Sequence, residues 1–193
     1  MHSADTQSQP VMRAVRVSFI CTANRARSPF AAALLRRHLT AIPVVVDSFG
    51  TMEREGDPAL PKAIRAARSF GVDLMPHRAR SVSPGSLRTS DLVVGFEQFH
   101  VAHSVVTGGA DRSRAFLLPE LALMLEEVAV PPHDANGVDL VLGRVNAVRG
   151  ASSGGPSAIG DPVGGSDRRF LETYESIESM VEIVAVRLFG AGT

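Results

Sequence analysis

Val15-Arg16-Val17-Ser18-Phe19-Ile20-Cys21, then Thr22-Ala23-Asn24-Arg25-Ala26-Arg27-Ser28-Pro29, then Phe30 to Leu39, is the stretch that decides the fold. The first piece alternates Val15, Val17 and Phe19 and then turns continuously apolar, the pattern of a strand passing from half-buried to buried. The last piece carries apolar residues at helical spacing. Ser28 is expected to cap its free N–H groups, and Pro29 suits a first helical turn. Strand, tight loop and helix make one βα unit.

The unit recurs along the chain. Val44-Val45-Val46 is a β-branched run before Asp47-Ser48-Phe49-Gly50-Thr51, read as a polar loop, and Leu60 to Phe70 reads as a helix stopped by Gly71. Asp91 to Phe96 is a third strand, followed by an amphipathic stretch from Glu97 to Val106 that ends at Gly108-Gly109. Arg114 to Leu118 is a fourth strand and Pro119 to Ala129 a helix begun by proline. Between 131 and 160 the signal fades to prolines, a weak helical pattern around Val138 to Val148, and the loop Ser152-Ser153-Gly154-Gly155-Pro156, so this part is expected as an insertion or loop region near the working face. Asp167 to Phe189 puts Phe170, Tyr174, Ile177, Val181, Val184 and Leu188 on one face behind a cap at Ser166 or Asp167, giving a long closing helix. Alternating strands and helices imply an α/β fold: a three-layer, doubly wound, four-stranded parallel sheet with helices on both faces and ligands at the strands' carboxyl ends. Residues 1–13 are expected to be a flexible tail and 14–193 a single domain. Cys21 sits at a strand's carboxyl end.

Composition narrows the function. The 193 residues are 45% hydrophobic, and twenty basic residues balance twenty acidic ones, which speaks against a nucleic-acid partner held through phosphate counterion release. No apolar run is long enough for a membrane span, and the polar start lacks a signal peptide's apolar stretch, so a cytoplasmic protein without a membrane partner is expected. One cysteine excludes an internal disulfide framework and a multi-thiolate zinc cluster. Lys62 is the single lysine against nineteen arginines, a coding bias that fits a bacterial source rich in G and C.

That one thiol is either buried filler or a reagent. Cys21 precedes Arg27 by six residues, in a loop hung between a strand and a helix N-terminus. A loop of this length can converge the N–H groups of Thr22, Ala23, Asn24, Arg25, Ala26, Arg27 and Ser28 on a tetrahedral oxyanion, and the helix adds its positive dipole end. Arg27 can hold two oxygens bidentately, and the same field favours the thiolate of Cys21 over the thiol. Asn24 within the turn suits a left-handed backbone. His100 and His103 lie three apart on an expected helix, but with no third ligand in view a metal site is set aside.

At these residues the sequence resembles the low-molecular-weight protein tyrosine phosphatase family, whose phosphate loop runs Cys, five residues, Arg, Ser, Pro near the amino terminus. The resemblance continues through Asp47-Ser48-Phe49-Gly50-Thr51, His77-Arg78-Ala79-Arg80 (the family's buried-histidine segment), Ser90 to Val94, and Asp161-Pro162-Val163-Gly164-Gly165-Ser166-Asp167 (its acid loop). It covers most of Val15 to Phe189 in order. The resemblance implies Cys21 as nucleophile, Arg27 as transition-state clamp and Asp161 as general acid, with Asn24, Ser28, Ser48 and His77 holding the loop's shape. It implies hydrolysis of phosphomonoesters, phosphotyrosine in proteins above all, through a phosphocysteine intermediate, with a phosphorylated protein or small phosphomonoester as partner and no cofactor or metal.

Three departures bear on substrate choice. Ala26 stands where the family commonly has a second loop cysteine, Val163 and Gly164 where it usually has an aromatic, and Met52-Glu53-Arg54-Glu55-Gly56 offers no aromatic on the facing loop. Aromatic walls stack on a phosphotyrosine ring, so tyrosine preference is expected to be shallow. Two rival readings stand beside the phosphatase: a phosphoresidue-binding module without turnover, and an arsenate reductase, which would need further cysteines for a disulfide relay.

Overall fold

Four parallel strands pair in the order β2-β1-β3-β4, in a computed structural model that describes residues 13–39, 43–129, 135–149 and 158–191. They are β1 (Val15–Cys21), β2 (Val44–Gly50), β3 (Leu92–Gly95) and β4 (Ala115–Leu117). The helices are α1 (Arg27–His38), α2 (Pro61–Arg68), α3 (Gln98–Val106), α4 (Leu118–Glu127), α5 (Ala135–Val148) and α6 (Asp167–Phe189), with a 3-10 turn at Arg112–Arg114.

Side-chain alternation splits the sheet into two faces. Val15, Val17, Phe19 and Cys21 of β1, Leu92 and Val94 of β3 and Phe116 of β4 share the larger core with the buried faces of α1, α2, α4, α5 and α6. Ile20, Val93, Ala115 and Leu117 point the other way, onto Val82, Leu87 and Val101 of α3. This is the expected doubly wound sheet with helices on both sides. Because β1 lies between β2 and β3, the chain leaves β1 and β3 in different directions, and a crevice opens where their carboxyl ends part.

Several local readings need correction. The polar run Asp47 to Gly50 is not a loop: it pairs residue by residue with Ser18 to Cys21 and extends β2 to Gly50. Ser48 is buried there, a polar residue that hydropathy alone assigns to the surface. Helix α1 starts at Arg27, and its N-cap is Ala26, with no side-chain cap. Ser28 therefore lies inside the first turn, and its hydroxyl is used elsewhere. Within 131–160, the weak pattern is helix α5, whose Val138, Val141, Leu142 and Val145 enter the larger core. The tail up to residue 12 and the Ser152 to Pro156 loop lie outside the described residues. Helix α6 spans the expected range, begins with Ser166 Oγ accepting from Arg169 N–H, and ends at Gly190 in the left-handed conformation with φ of 66°.

Candidate active site

The loop from Cys21 to Ser28 curls between β1 and α1, and one polar side chain shapes it from within. Asn24 is fully buried at φ of 54°, the left-handed region in which asparagine is among the tolerated residues. Its amide Nδ2 donates to Ser28 Oγ at 2.8 Å and Ser48 Oγ at 2.9 Å, and its Oδ1 accepts from the Arg80 backbone N–H at 2.8 Å. His77 Nε2 lies 2.6 Å from the Asn24 carbonyl, to which it donates. Burial holds His77 below its ordinary pKa, in keeping with a neutral ring that donates through one nitrogen. The four residues named as loop support thus meet in one network.

Gly50 closes the floor. It pairs with Cys21 across the sheet, and a Cβ there would lie 2.9 Å from the Ala23 carbonyl carbon and 3.0 Å from Asn24 N. The loop backbone passes where a side chain would be. Tyr174 closes the far side: fully buried and stacked on Phe30 at 3.8 Å between ring centroids, it donates its hydroxyl to the Ala26 carbonyl at 3.1 Å. Burial pushes its pKa far up, with Cys21 nearby adding to the effect, so the hydroxyl stays a donor.

Cys21 Sγ lies 3.0 Å from Ser28 Oγ, and Ser28 Oγ can also donate to the Phe49 carbonyl at 3.3 Å. A serine has one proton, so a thiolate at Cys21 draws it from the carbonyl to the sulfur. Arg27, 1% exposed, divides its donors by nitrogen. Nη1 meets Glu97 Oε1 at 2.5 Å and the Ile159 carbonyl at 2.9 Å, while Nη2 meets Asp161 Oδ2 at 2.7 Å and Thr22 Oγ1 at 3.2 Å. Asp161 opens an Asx turn, its Oδ1 accepting from Val163 N–H at 3.1 Å. Of the residues named from the sequence, Arg27 and Asp161 are thus in direct contact, and Arg27 ends the loop that Cys21 begins. Arg25 turns away from the loop's interior to Pro58 O at 2.7 Å and Asp57 at 3.2 Å, and Thr22, Ala23 and Arg25 are half-buried along the rim.

Three participants were missed. Glu97 and His100 begin α3 from the end of β3, across the crevice from the loop, and Tyr174 reads from helical spacing only as core. The detectable signals were positional: a polar pair at the carboxyl end of β3, and a buried tyrosine, whose hydroxyl needs a partner. His100 is buried, with Nδ1 accepting from Phe96 and Glu97 N–H at 3.3 and 3.0 Å. Burial, and then the Arg27 charge, lowers its pKa from 6.5 to about 4. Between those values the unfolded chain binds a proton that the folded one refuses, so stability is full above about pH 6.5 and falls toward pH 4, by about 3 kcal/mol from this group. His77 acts in the same direction. The urea midpoint should drop between pH 7 and 4.5, and His100→Gln should flatten that slope; equal slopes in both proteins would refute a neutral, buried His100.

The rim carries the departures seen in sequence. Met52 and Val163 are 45% and 55% exposed, and Met52 N–H donates to the Thr22 carbonyl at 2.9 Å. Phe99, 60% exposed on the first turn of α3, is an aromatic whose ring lies beside those of His100 and His103. Among the described residues no helix is long and apolar enough to cross a membrane.

Comparison with known proteins finds similar sequences and similar folds. A model of the family described as low molecular weight phosphotyrosine protein phosphatase matches residues 16–131. The probable low molecular weight protein-tyrosine-phosphatase EpsP of Ralstonia solanacearum is 33% identical over 75 residues, 39% of this chain and 50% of that protein. The chain thus spans about half the length of this curated relative. The low molecular weight protein-tyrosine-phosphatase Etp of Escherichia coli K12 is 30% identical over 112 residues, 58% of this chain and 72% of that protein. A solved structure described as the YwlE arginine phosphatase from Geobacillus stearothermophilus superposes with a TM-score of 0.67 at 23% identity, covering 90% of this chain and 92% of the other.

Proposed function

Since the chain belongs to the low molecular weight phosphotyrosine protein phosphatase family, we propose that it hydrolyses phosphate monoesters, phosphotyrosine in proteins among them, through a phosphocysteine at Cys21. The observation that carries the reading is the contact of Asp161 with Arg27 at 2.7 Å, which brings a carboxylate from the far end of the chain to the cation of the thiol's own loop. The Cys21 thiolate attacks phosphorus in line, forming the S–P bond as the ester O–P bond breaks. Arg27 and the loop N–H groups of Thr22 to Ser28 stabilise the charge on the equatorial oxygens, and Asp161 protonates the leaving oxygen. Water then attacks phosphorus, Asp161 takes its proton, and the thiolate departs with Ser28 donating to sulfur. Asn24, Ser48 and His77 hold the loop in the shape this requires. None of these steps calls for a metal or cofactor. The setting we propose is a bacterial cytoplasm: the named relatives are bacterial, and a nucleophilic thiol needs reducing conditions.

Asp161→Asn tests the reaction. If Asp161 is the acid, its loss matters most where the leaving group most needs a proton. Tyrosine, with a phenol pKa near ~10, needs it more than p-nitrophenol. The variant should lose several times more kcat/KM toward phosphotyrosine than toward p-nitrophenyl phosphate, comparing kcat/KM because a stalled second step lowers kcat alone. Equal losses would leave Asp161 a loop-shaping role and make Asp167 the next carboxylate to test. Phosphoarginine belongs in the same substrate panel, because the neighbour from Geobacillus is described as an arginine phosphatase. A marked preference for it would replace the tyrosine assignment while keeping the phosphocysteine chemistry.

A further inference from the structure

His100 does more than cap the start of a helix. With Nδ1 accepting two backbone N–H bonds, the ring proton resides on Nε2, which donates to Thr22 Oγ1 at 3.1 Å. The same oxygen accepts from Arg27 Nη2 at 3.2 Å. A threonine hydroxyl has two acceptor sites and one proton. Both acceptor sites are thereby filled, and the proton is committed to donation. Thr22 directly follows the nucleophile, and Arg27 Nη2 is the nitrogen that also meets Asp161. The hydroxyl is therefore tied to the guanidinium edge at which an anion would be held.

We propose that His100 is a positioning residue that locks the Thr22 hydroxyl as a proton donor to the bound oxyanion and, through it, braces Arg27. The proposal rests on the phosphatase reading and adds a donor from a side chain to those the loop backbone supplies. Chemistry favours histidine here. An ordinary helix-capping glutamate at this position would accept from the Glu97 N–H but would offer Thr22 no proton, and the hydroxyl would then donate to the carboxylate rather than to the substrate. The two backbone N–H bonds on Nδ1 set the tautomer, and the surroundings keep the ring neutral: burial first, then Arg27 and His103, disfavour a second proton, which Glu97 and Asp161 favour only in part.

The test compares wild type with Thr22→Val, Thr22→Ser, His100→Leu, His100→Gln and the Thr22→Val/His100→Leu double variant. Measured quantities are kcat/KM for p-nitrophenyl phosphate, inhibition by vanadate and by inorganic phosphate, and the melting temperature. A lost hydrogen bond to a charged group corresponds to roughly a 10- to 100-fold loss, expected in kcat/KM for Thr22→Val. Vanadate, which resembles the five-coordinate transition state, should weaken more than phosphate. Thr22→Ser should recover most of that loss. His100→Leu should match Thr22→Val, the double variant should be no worse than either single one, and His100→Gln, which keeps both a donor and an acceptor, should recover part. A purely structural His100 would lower the melting temperature while leaving kcat/KM and the vanadate-to-phosphate ratio in place, and that result overturns the proposal. Additive losses in the double variant, or wild-type kinetics for Thr22→Val, overturn it as well. If wild type turned over no phosphomonoester, the phosphatase reading would fall, and calorimetric vanadate affinities in the same six proteins would still decide the positioning claim.

Discussion

Cys21→Ser is expected to abolish turnover, by a factor on the order of 10⁴ or more, while inorganic phosphate should still bind. Substitution of oxygen for sulfur replaces a thiol by a far less acidic and less nucleophilic alcohol, so the attacking anion is lost. The cradle is built from other atoms: the loop backbone, Asn24 with its four partners, and Gly50 beneath. Serine is no larger than cysteine, and at this buried site it can keep the contact with Ser28. Steady-state assays with phosphotyrosine and p-nitrophenyl phosphate, paired with phosphate titration by calorimetry, make the comparison. Undiminished turnover would remove Cys21 from the chemistry. A wild type as inactive as the variant, with both binding phosphate, would establish the rival binding module.

Arg27→Lys is expected to lower kcat/KM by roughly 10²- to 10³-fold, although the charge is retained. Four contacts with Glu97, the Ile159 carbonyl, Asp161 and Thr22 hold the guanidinium in one plane. An ammonium cannot serve them all from one nitrogen. The deficit should appear in kcat as well as KM, because a planar fork fits the spreading equatorial charge of the transition state better than it fits the ground state. Lysine would also strand Glu97 and the Ile159 carbonyl, so the melting temperature should fall by a few degrees. A Lys variant with kinetics within threefold of wild type would rule out the clamp.

How much of this was legible in the chain depended on how local each signal is. The βα unit around Cys21 follows from periodicity, and the span of α6 from periodicity and the Ser166 cap, signals that lie within a few residues of one another. The end of β2 did not, since Ser48 is buried for its hydroxyl and Gly50 for its missing side chain, and neither looks like a strand by hydropathy. Asp161 and His77 reached the site only through the family's order, because Asp-Pro and an isolated histidine are uninformative alone. Glu97 and His100 show locally only as a polar pair at the carboxyl end of β3, which does not say what they face. Their role depends on which strand neighbours β1, and the order β2-β1-β3-β4 is a property of the whole sheet.

The double ion pair on Arg27 gives the site a threshold. Glu97 and Asp161 together more than offset the guanidinium's single charge, so an arriving anion enters by exchange, displacing a tethered carboxylate from Nη2. A tethered competitor acts at high effective concentration, which chloride or a solution carboxylate must overcome with a single charge. A phosphate dianion brings two charges and more oxygens than Asp161 can offer. The resident carboxylate thus works as a counter-ion filter that screens by charge before shape is read. Removing its charge in Asp161→Asn should tighten inhibition by inorganic phosphate and admit monoanions that wild type ignores, and unchanged anion selectivity in that variant would show that no such filter operates.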